Sequence, residues 1–324
     1  MPVKMGIDYA RLGGPESLDA MSDDFGHHGL FLYDNDDDFV DRITSFLGQG
    51  TEDGEEGMAV VSQAKWALLR EALGDASQRI RYLGSDLLYS RPLSAVADYD
   101  SMLRRALDEG APAVRLFGEL PLSKSREECE AWTLYEAVIN RAFADRPMSI
   151  LCGYDVRDQP AAAVEGAWHT HPWLLGEGWE DNPRYQDPAQ VVGALTRPPR
   201  AVTDLRELPI DADPKALSAR LRREMATLHV PQADAERLLL AAGEVLDNAR
   251  THGHGPRSQR IGRVGELVVW ELSDSGPGFE DALAGYLPPR HEEGNRTGLW
   301  IVRQLVHELE FLSSPQGFTT RLWI

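Results

Sequence analysis

Gly243-Glu244-Val245-Leu246-Asp247-Asn248-Ala249-Arg250-Thr251-His252-Gly253 is the stretch on which the reading of this chain turns. The apolar residues around it recur at helical spacing, so Glu244 and Asn248, four apart, share one face of a helix. A carboxylate and a carboxamide converging there can poise a hydroxyl and complete a magnesium shell. That ion takes few protein oxygens and leaves the rest to phosphates and water. The plain alternative is the polar outer face of an amphipathic helix.

Two further strings follow in order. After the strand-like run ELVVWELS comes Asp274-Ser275-Gly276-Pro277-Gly278-Phe279, an acid at a strand end followed by two closely spaced glycines. Such a turn lets backbone approach a planar ligand while the acid accepts a hydrogen bond from the ligand's edge, although the same residues also make ordinary turns. Gly294-Asn295-Arg296-Thr297-Gly298-Leu299 then opens a helix, whose free N–H groups favour phosphate.

Together these strings resemble the Bergerat-fold (GHKL) ATPases, and most closely their small serine/threonine kinase branch, the anti-sigma factors. The resemblance spans residues 204–324 and implies an α/β sandwich that binds ATP and Mg2+. It further implies that Glu244 is the general base, that Asn248 holds Mg2+, and that Asp274, with Gly276 and Gly278, takes the adenine amino group. Phosphates would lie against Thr297, Gly298 and Leu299. One position departs: the family usually carries Gly-x-Gly-Leu before its last helix, and Arg296 stands where the first glycine belongs. The resemblance also implies a STAS-type anti-sigma antagonist as partner and substrate, a sigma factor as a further partner, and a homodimer. A phosphorelay is not expected. His229 is followed by no acidic residue, and His307-Glu308 falls after the glycine strings.

The rest of the chain is different in kind. Its 324 residues suit two domains, and its 33 basic and 52 acidic side chains give a net charge of −19. Residues 204–324 carry 14 basic and 18 acidic groups, leaving 19 and 34 for residues 1–203. Nucleic acid and anionic membrane surfaces are therefore not expected partners. Cys129 and Cys152 are the only cysteines, and no run has the length or apolarity of a membrane span or a signal peptide. A cytoplasmic protein is expected.

Residues 1–24 read as a polar arm. Strands are expected at 29–33, 57–62, 80–84, 113–120 and 148–155, with helices between them, so the N-terminal domain reads as a doubly wound, largely parallel sheet. A linker follows at 188–203. In the C-terminal domain, helices are expected at 214–228, 232–251 and 298–311, and strands at 258–263, 266–273 and the closing GFTTRLWI.

The first strand leads into Tyr33-Asp34-Asn35-Asp36-Asp37-Asp38 rather than a glycine-rich phosphate loop. His27-His28, Gly118-Glu119, Cys152-Gly153-Tyr154-Asp155 and Trp168-His169-Thr170-His171-Pro172 stand at the ends of elements, where doubly wound sheets bind ligands. This set resembles the MEDS sensory domain, a degenerate relative of RecA/KaiC-type folds, over residues 25–187. The resemblance implies a small-molecule ligand, with His28, Glu119, Cys152, Tyr154 and His171 as candidate site residues. Cys152 with His28, His169 or His171 also suits a metal or haem; capping strands and filling the core is the plainer role.

Overall fold

A computed structural model describes residues 27–121, 125–211, 213–289 and 297–324. The chain divides between Leu195 and Thr196 into two compact units.

The first unit runs β1 (His28–Tyr33), α1 (Asp36–Glu52), β2 (Glu56–Val61), α2 (Gln63–Leu73), β3 (Ile80–Gly84), α3 (Ser85–Leu88), α4 (Pro92–Asp108), β4 (Val114–Glu119), α5 (Arg126–Phe143), β5 (Met148–Asp155), α6 (Ala161–Thr170), β6 (Trp173–Leu175), β7 (Trp179–Asp181) and α7 (Pro188–Leu195). The seven strands form one sheet in the order β3-β2-β4-β5-β1-β6-β7, parallel except where β7 turns back on β6. Parallel strands buried on both faces must be apolar throughout, as Gly29–Tyr33 and Gly57–Val61 are. On one face Phe31, Tyr33, Phe117 and Leu151 pack against Phe39, Ile43 and Phe46 of α1 and Leu69 of α2. The other face meets α4 and α5, where Tyr99, Trp132 and Tyr135 stack edge to face with Tyr89.

The acidic loop after β1 acts as a helix cap. Asn35 Oδ1 accepts the Asp38 N–H at 2.8 Å, and Asp36, Asp37 and Asp38 sit in the first turn, where the helix dipole favours negative charge. The end of α1 that a phosphate would use is filled by the protein's own oxygens.

The second unit runs β8 (Arg206–Leu208), α8 (Pro214–Thr227), α9 (Gln232–Thr251), β9 (Pro256–Val264), β10 (Leu267–Asp274), α10 (Thr297–Leu305), β11 (Glu308–Ser314) and β12 (Gly317–Trp323). Its five strands form an antiparallel sheet in the order β11-β12-β10-β9-β8. All three helices lie on one face. Leu217 and Leu221 of α8, Leu238, Ala242 and Val245 of α9, and Val302 of α10 bury Ile261, Trp270, Leu272 and Leu322. The opposite face carries a buried ionic ladder. Glu271 accepts from Arg260 at 2.6 Å and Arg321 at 2.8 Å, and Arg321 also donates to Glu310 at 3.0 Å.

Beyond the short strand β8, three features differ from the sequence expectations. Residues 188–195 of the expected linker form α7, because Val191 and Val192 find burial; further on, the Arg200 N–H donates to Glu310 and the Arg200 carbonyl accepts from Arg321. The expected helix over 298–311 ends at Leu305, and β11 takes over, pairing along β12 from Glu308↔Trp323 to Ser314↔Gly317. His307 thus stands at the junction, its N–H bonded to the Trp323 carbonyl. The short β6–β7 hairpin was hidden among the Gly and Pro of 172–183. Residues 1–24, Gly294 and Arg296 lie outside the described residues.

Candidate functional site

In the second unit, α9 rides on the sheet through its apolar face, so Glu244 and Asn248 are carried together on its flank, both half-buried. They meet the start of α10. A β-carbon placed on Gly298 would lie 2.8 Å from Glu244 Oε2 and within 3.7 Å of both terminal atoms of the Asn248 carboxamide. Glycine at 298 is what lets this pair reach the helix N-terminus. Of Thr297, only its place as the first residue of α10 is described.

Beside them opens a cavity of about 490 Å3, with Asn248, Asp274, Gly276, Gly278, Gly298 and Leu299 in its wall. Asp274 ends β10 and is 9% exposed. One carboxylate oxygen accepts the Gly276 N–H at 2.8 Å. Burial raises its pKa above the ordinary carboxylate range, opposed by the Gly276 N–H and by the charge of nearby His254. The turn is built for close approach: a β-carbon on Gly276 would come within 2.8 Å of the Gly253 Cα and 3.0 Å of the His252 carbonyl. Gly278 has φ +73°, a backbone that side chains resist, and its Cα faces the Phe318 ring.

The structure adds wall residues that sequence reasoning missed, chiefly Phe318 and Thr320 of β12. Strand alternation was the available signal. Leu322 lies in the helix-facing core, so residues two and four places earlier point to the same side. Phe318 also stacks with Phe279 and Phe311, closing one edge of the turn. This arrangement supplies a cavity with a buried acceptor in its wall, and a helix N-terminus flanked by a carboxylate and a carboxamide.

In the first unit, four of the five candidates come together in the interior. His28 of β1, Cys152 and Tyr154 of β5, and His171 just after α6 surround Glu136 of α5. Distances to Glu136 Oε2 are 3.1 Å from His28 Nε2, 3.6 Å from Cys152 Sγ and 3.7 Å from His171 Nε2, while Tyr154 Oη donates to Oε1 at 3.3 Å. Burial pushes the His28 pKa down to about 4 and that of His171 down to about 3, and raises those of Glu136 and Cys152.

Glu119 does not join them. In β4, Gly118 is level with Cys152, and Glu119 therefore projects to the opposite face, where Tyr33 donates to it near Lys65 and Asp155. A one-residue step along a strand reverses the face. Glu136 was legible in principle. It lies on the buried face of α5 with Trp132, Ile139 and Phe143, and a carboxylate on an apolar stripe calls for a partner.

Comparison with known proteins bears on both units. A protein-family profile described as MEDS, the methanogen/methylotroph, DcmR sensory domain, matches residues 27–172. A second, the histidine kinase-like ATPase domain, matches residues 210–324. The chain joins a MEDS domain to a histidine kinase-like ATPase domain. No curated protein matches it significantly.

Among solved structures it is similar to the RsbU and RsbW domains of Rv1364c from Mycobacterium tuberculosis, at 21% identity over 38% of this chain and 33% of that one, with a TM-score of 0.28. It is also similar to the histidine kinase domain of the EL346 blue-light activated histidine kinase from Erythrobacter litoralis, at 27% identity over 33% and 60%, with a TM-score of 0.24. The chain thus covers under two thirds of either structure. Among the described residues, no helix of the MEDS or ATPase domain is long and apolar enough to cross a membrane.

Proposed function

We propose that this chain is a sensor-regulated protein serine/threonine kinase of the anti-sigma type. It would bind ATP with Mg2+ and phosphorylate a hydroxyl on a STAS-type anti-sigma antagonist, governing a sigma factor by partner switching in the cytoplasm. The observation that carries this reading is the meeting of Glu244 and Asn248 on Gly298, at a cavity whose wall also holds Asp274. Asp274 would accept from the adenine amino group in the slot formed with Gly276 and Gly278. Asn248 suits Mg2+, offering one neutral oxygen and leaving the remaining positions to phosphates and water. Glu244 would take the proton of the attacking hydroxyl, and the N–H groups at Gly298 and Leu299 would receive phosphate.

On this reading residues 25–187 are the sensory domain, 188–203 the connection and 204–324 the kinase domain, acting as a homodimer. The sensory domain is taken as a relative of RecA/KaiC folds whose phosphate loop has been replaced, a view that the acidic cap of α1 supports. Its input would be a small molecule. Arg296, in place of a family glycine, favours a second reading in which ATP gates partner binding without transfer. Labelled ATP, the full chain and a candidate STAS protein separate the two. Label on a serine or threonine of the partner supports the kinase. ATP-dependent co-elution with an unlabelled partner supports the gate, and neither result would overturn both.

A further inference from the structure

The hydrogen bonds around Glu136 leave one buried nitrogen without a partner. His171 Nδ1 faces the Ala167 carbonyl at 2.8 Å, so that nitrogen carries the hydrogen and Nε2 presents a lone pair. His171 Nε2 is fully buried and has no hydrogen-bond partner, the nearest Glu136 oxygen lying 3.7 Å away. His28 is oriented in the same way. Asn140 donates its NH2 group to the carbonyls of Glu136 and Thr170, at 3.0 and 2.6 Å, which leaves its oxygen to accept from His28 Nδ1 at 3.2 Å. His28 Nε2 therefore also turns a lone pair inward, toward Cys152 Sγ at 3.4 Å. Two imidazole lone pairs and a carboxylate oxygen meet around one thiol. All four side chains are buried, and His171 Nε2 is left without a partner.

We propose that this cluster is a binding site for one divalent transition-metal ion, Zn2+ by its chemistry, held by His28 Nε2, Glu136 Oε2, Cys152 Sγ and His171 Nε2. Tetrahedral ligation at about 2.0–2.1 Å to nitrogen and oxygen and about 2.3 Å to sulfur sets neighbouring ligand atoms about 3.3–3.6 Å apart. The four separations given above, 3.1, 3.4, 3.6 and 3.7 Å, bracket that range, and all four atoms lie within 4.8 Å of one another. Charge closes as well. On binding, the Cys152 thiol proton and the proton of a neutral Glu136 leave to solvent, and one thiolate plus one carboxylate neutralise a dication, the net charge a buried site tolerates.

Nitrogen, sulfur and one carboxylate oxygen select zinc or a similar first-row ion over magnesium or calcium. The Ala167 carbonyl and Asn140 act as the outer partners that fix metal-binding imidazoles. Four protein ligands make a closed site, which would tie β1, β5, α5 and α6 together. Four ligand atoms this close leave no room for a porphyrin among them.

The test uses the full chain without an affinity tag, produced in medium containing Zn2+ or, separately, Co2+. The expected result is one equivalent of metal per chain. The Co2+ form should show visible ligand-field bands of tetrahedral intensity and a thiolate-to-cobalt charge-transfer band. Cys152→Ser should lose the charge-transfer band, and Cys129→Ser should keep it. His171→Ala should weaken retention against a chelator at least about tenfold, the scale seen even for orienting partners. Wild-type protein that carries no metal after growth in either ion overturns the proposal, whatever the variants do. A charge-transfer band that survives Cys152→Ser, or retention against the chelator unchanged in His171→Ala, overturns it equally. Circular dichroism of each variant separates lost ligation from lost fold, and the Cys129→Ser and wild-type spectra remain decisive if the other two variants do not fold.

Discussion

Replacing Asp274 by asparagine changes one oxygen into an NH2 group and little else. In the wild type, one carboxylate oxygen is held by the Gly276 N–H at 2.8 Å, which leaves the other as the acceptor that the cavity offers. Asparagine can keep the Gly276 bond through its carbonyl, but it then turns a donor toward the adenine amino group, itself a donor. One buried hydrogen bond is lost and two donors are opposed, a cost of about 1–3 kcal/mol, or roughly 5- to 150-fold in affinity. Stability should move the other way or not at all, because burial disfavours the ionised form of Asp274. The sign follows from linkage. The folded pKa lies above the unfolded one, so the contribution of Asp274 to stability is full below the unfolded pKa and fades as pH rises through the folded value. Asp274→Asn should therefore lack that part of the acid-side gain while remaining at least as stable at neutral pH. Calorimetric titration of the full chain with ATP–Mg2+ measures the affinity, and GTP–Mg2+, which lacks the amino group at that edge, supplies the control. Equal ATP affinity in the two proteins would refute the assignment of Asp274 to the base.

Other changes probe separate elements. Glu244→Gln should leave ATP binding within a few-fold while slowing transfer to a STAS partner by about 10²–10⁴, read by single-turnover labelling. Gly278→Ala puts a side chain on a backbone with φ +73° and against Phe318, and should lower stability by about 1–3 kcal/mol in urea unfolding. Asp211 pairs with Arg220 and Gln259, which hold its pKa below the ordinary range; Asp211→Asn should cost about 1.5–3 kcal/mol at neutral pH. Because that contribution is lost as pH falls through the depressed folded pKa, the gap between Asp211→Asn and wild type should close on acidification, as denaturation curves across the acid range would report.

Much of the fold was legible because its signals are local. Asp213 followed by Pro214 announces the start of α8, and the Asp213 side chain does accept the Ala216 N–H at 2.9 Å. The parallel strands declare themselves as short apolar runs. The segment after Leu305 misled because Leu305, Val306 and Leu309 continue the helical spacing while Leu309 and Phe311 alternate. Pairing with β12, a partner invisible in local sequence, decides between them.

The two sites differed in legibility for a related reason. In the ATPase domain the candidate residues stand in three compact strings, and α9, the turn after Asp274 and the start of α10 follow from local sequence. Glu244 and Asn248 share a face by spacing alone, and the glycines mark where backbone must come close. In the MEDS domain the cluster is assembled from β1, α5, β5 and the end of α6, so proximity depends on strand order and register. Placing β1 beside β5 sets Leu30 level with Cys152, and only then does His28, two residues earlier on the same face, come within reach of the thiol. The same register sends Glu119 to the other side of the sheet. Strand-end position alone does not tell Glu119 from the other candidates. Side-chain parity across paired strands, joined to a carboxylate on the apolar stripe of α5, brings His28, Glu136, Cys152 and His171 together and sets Glu119 on the other face.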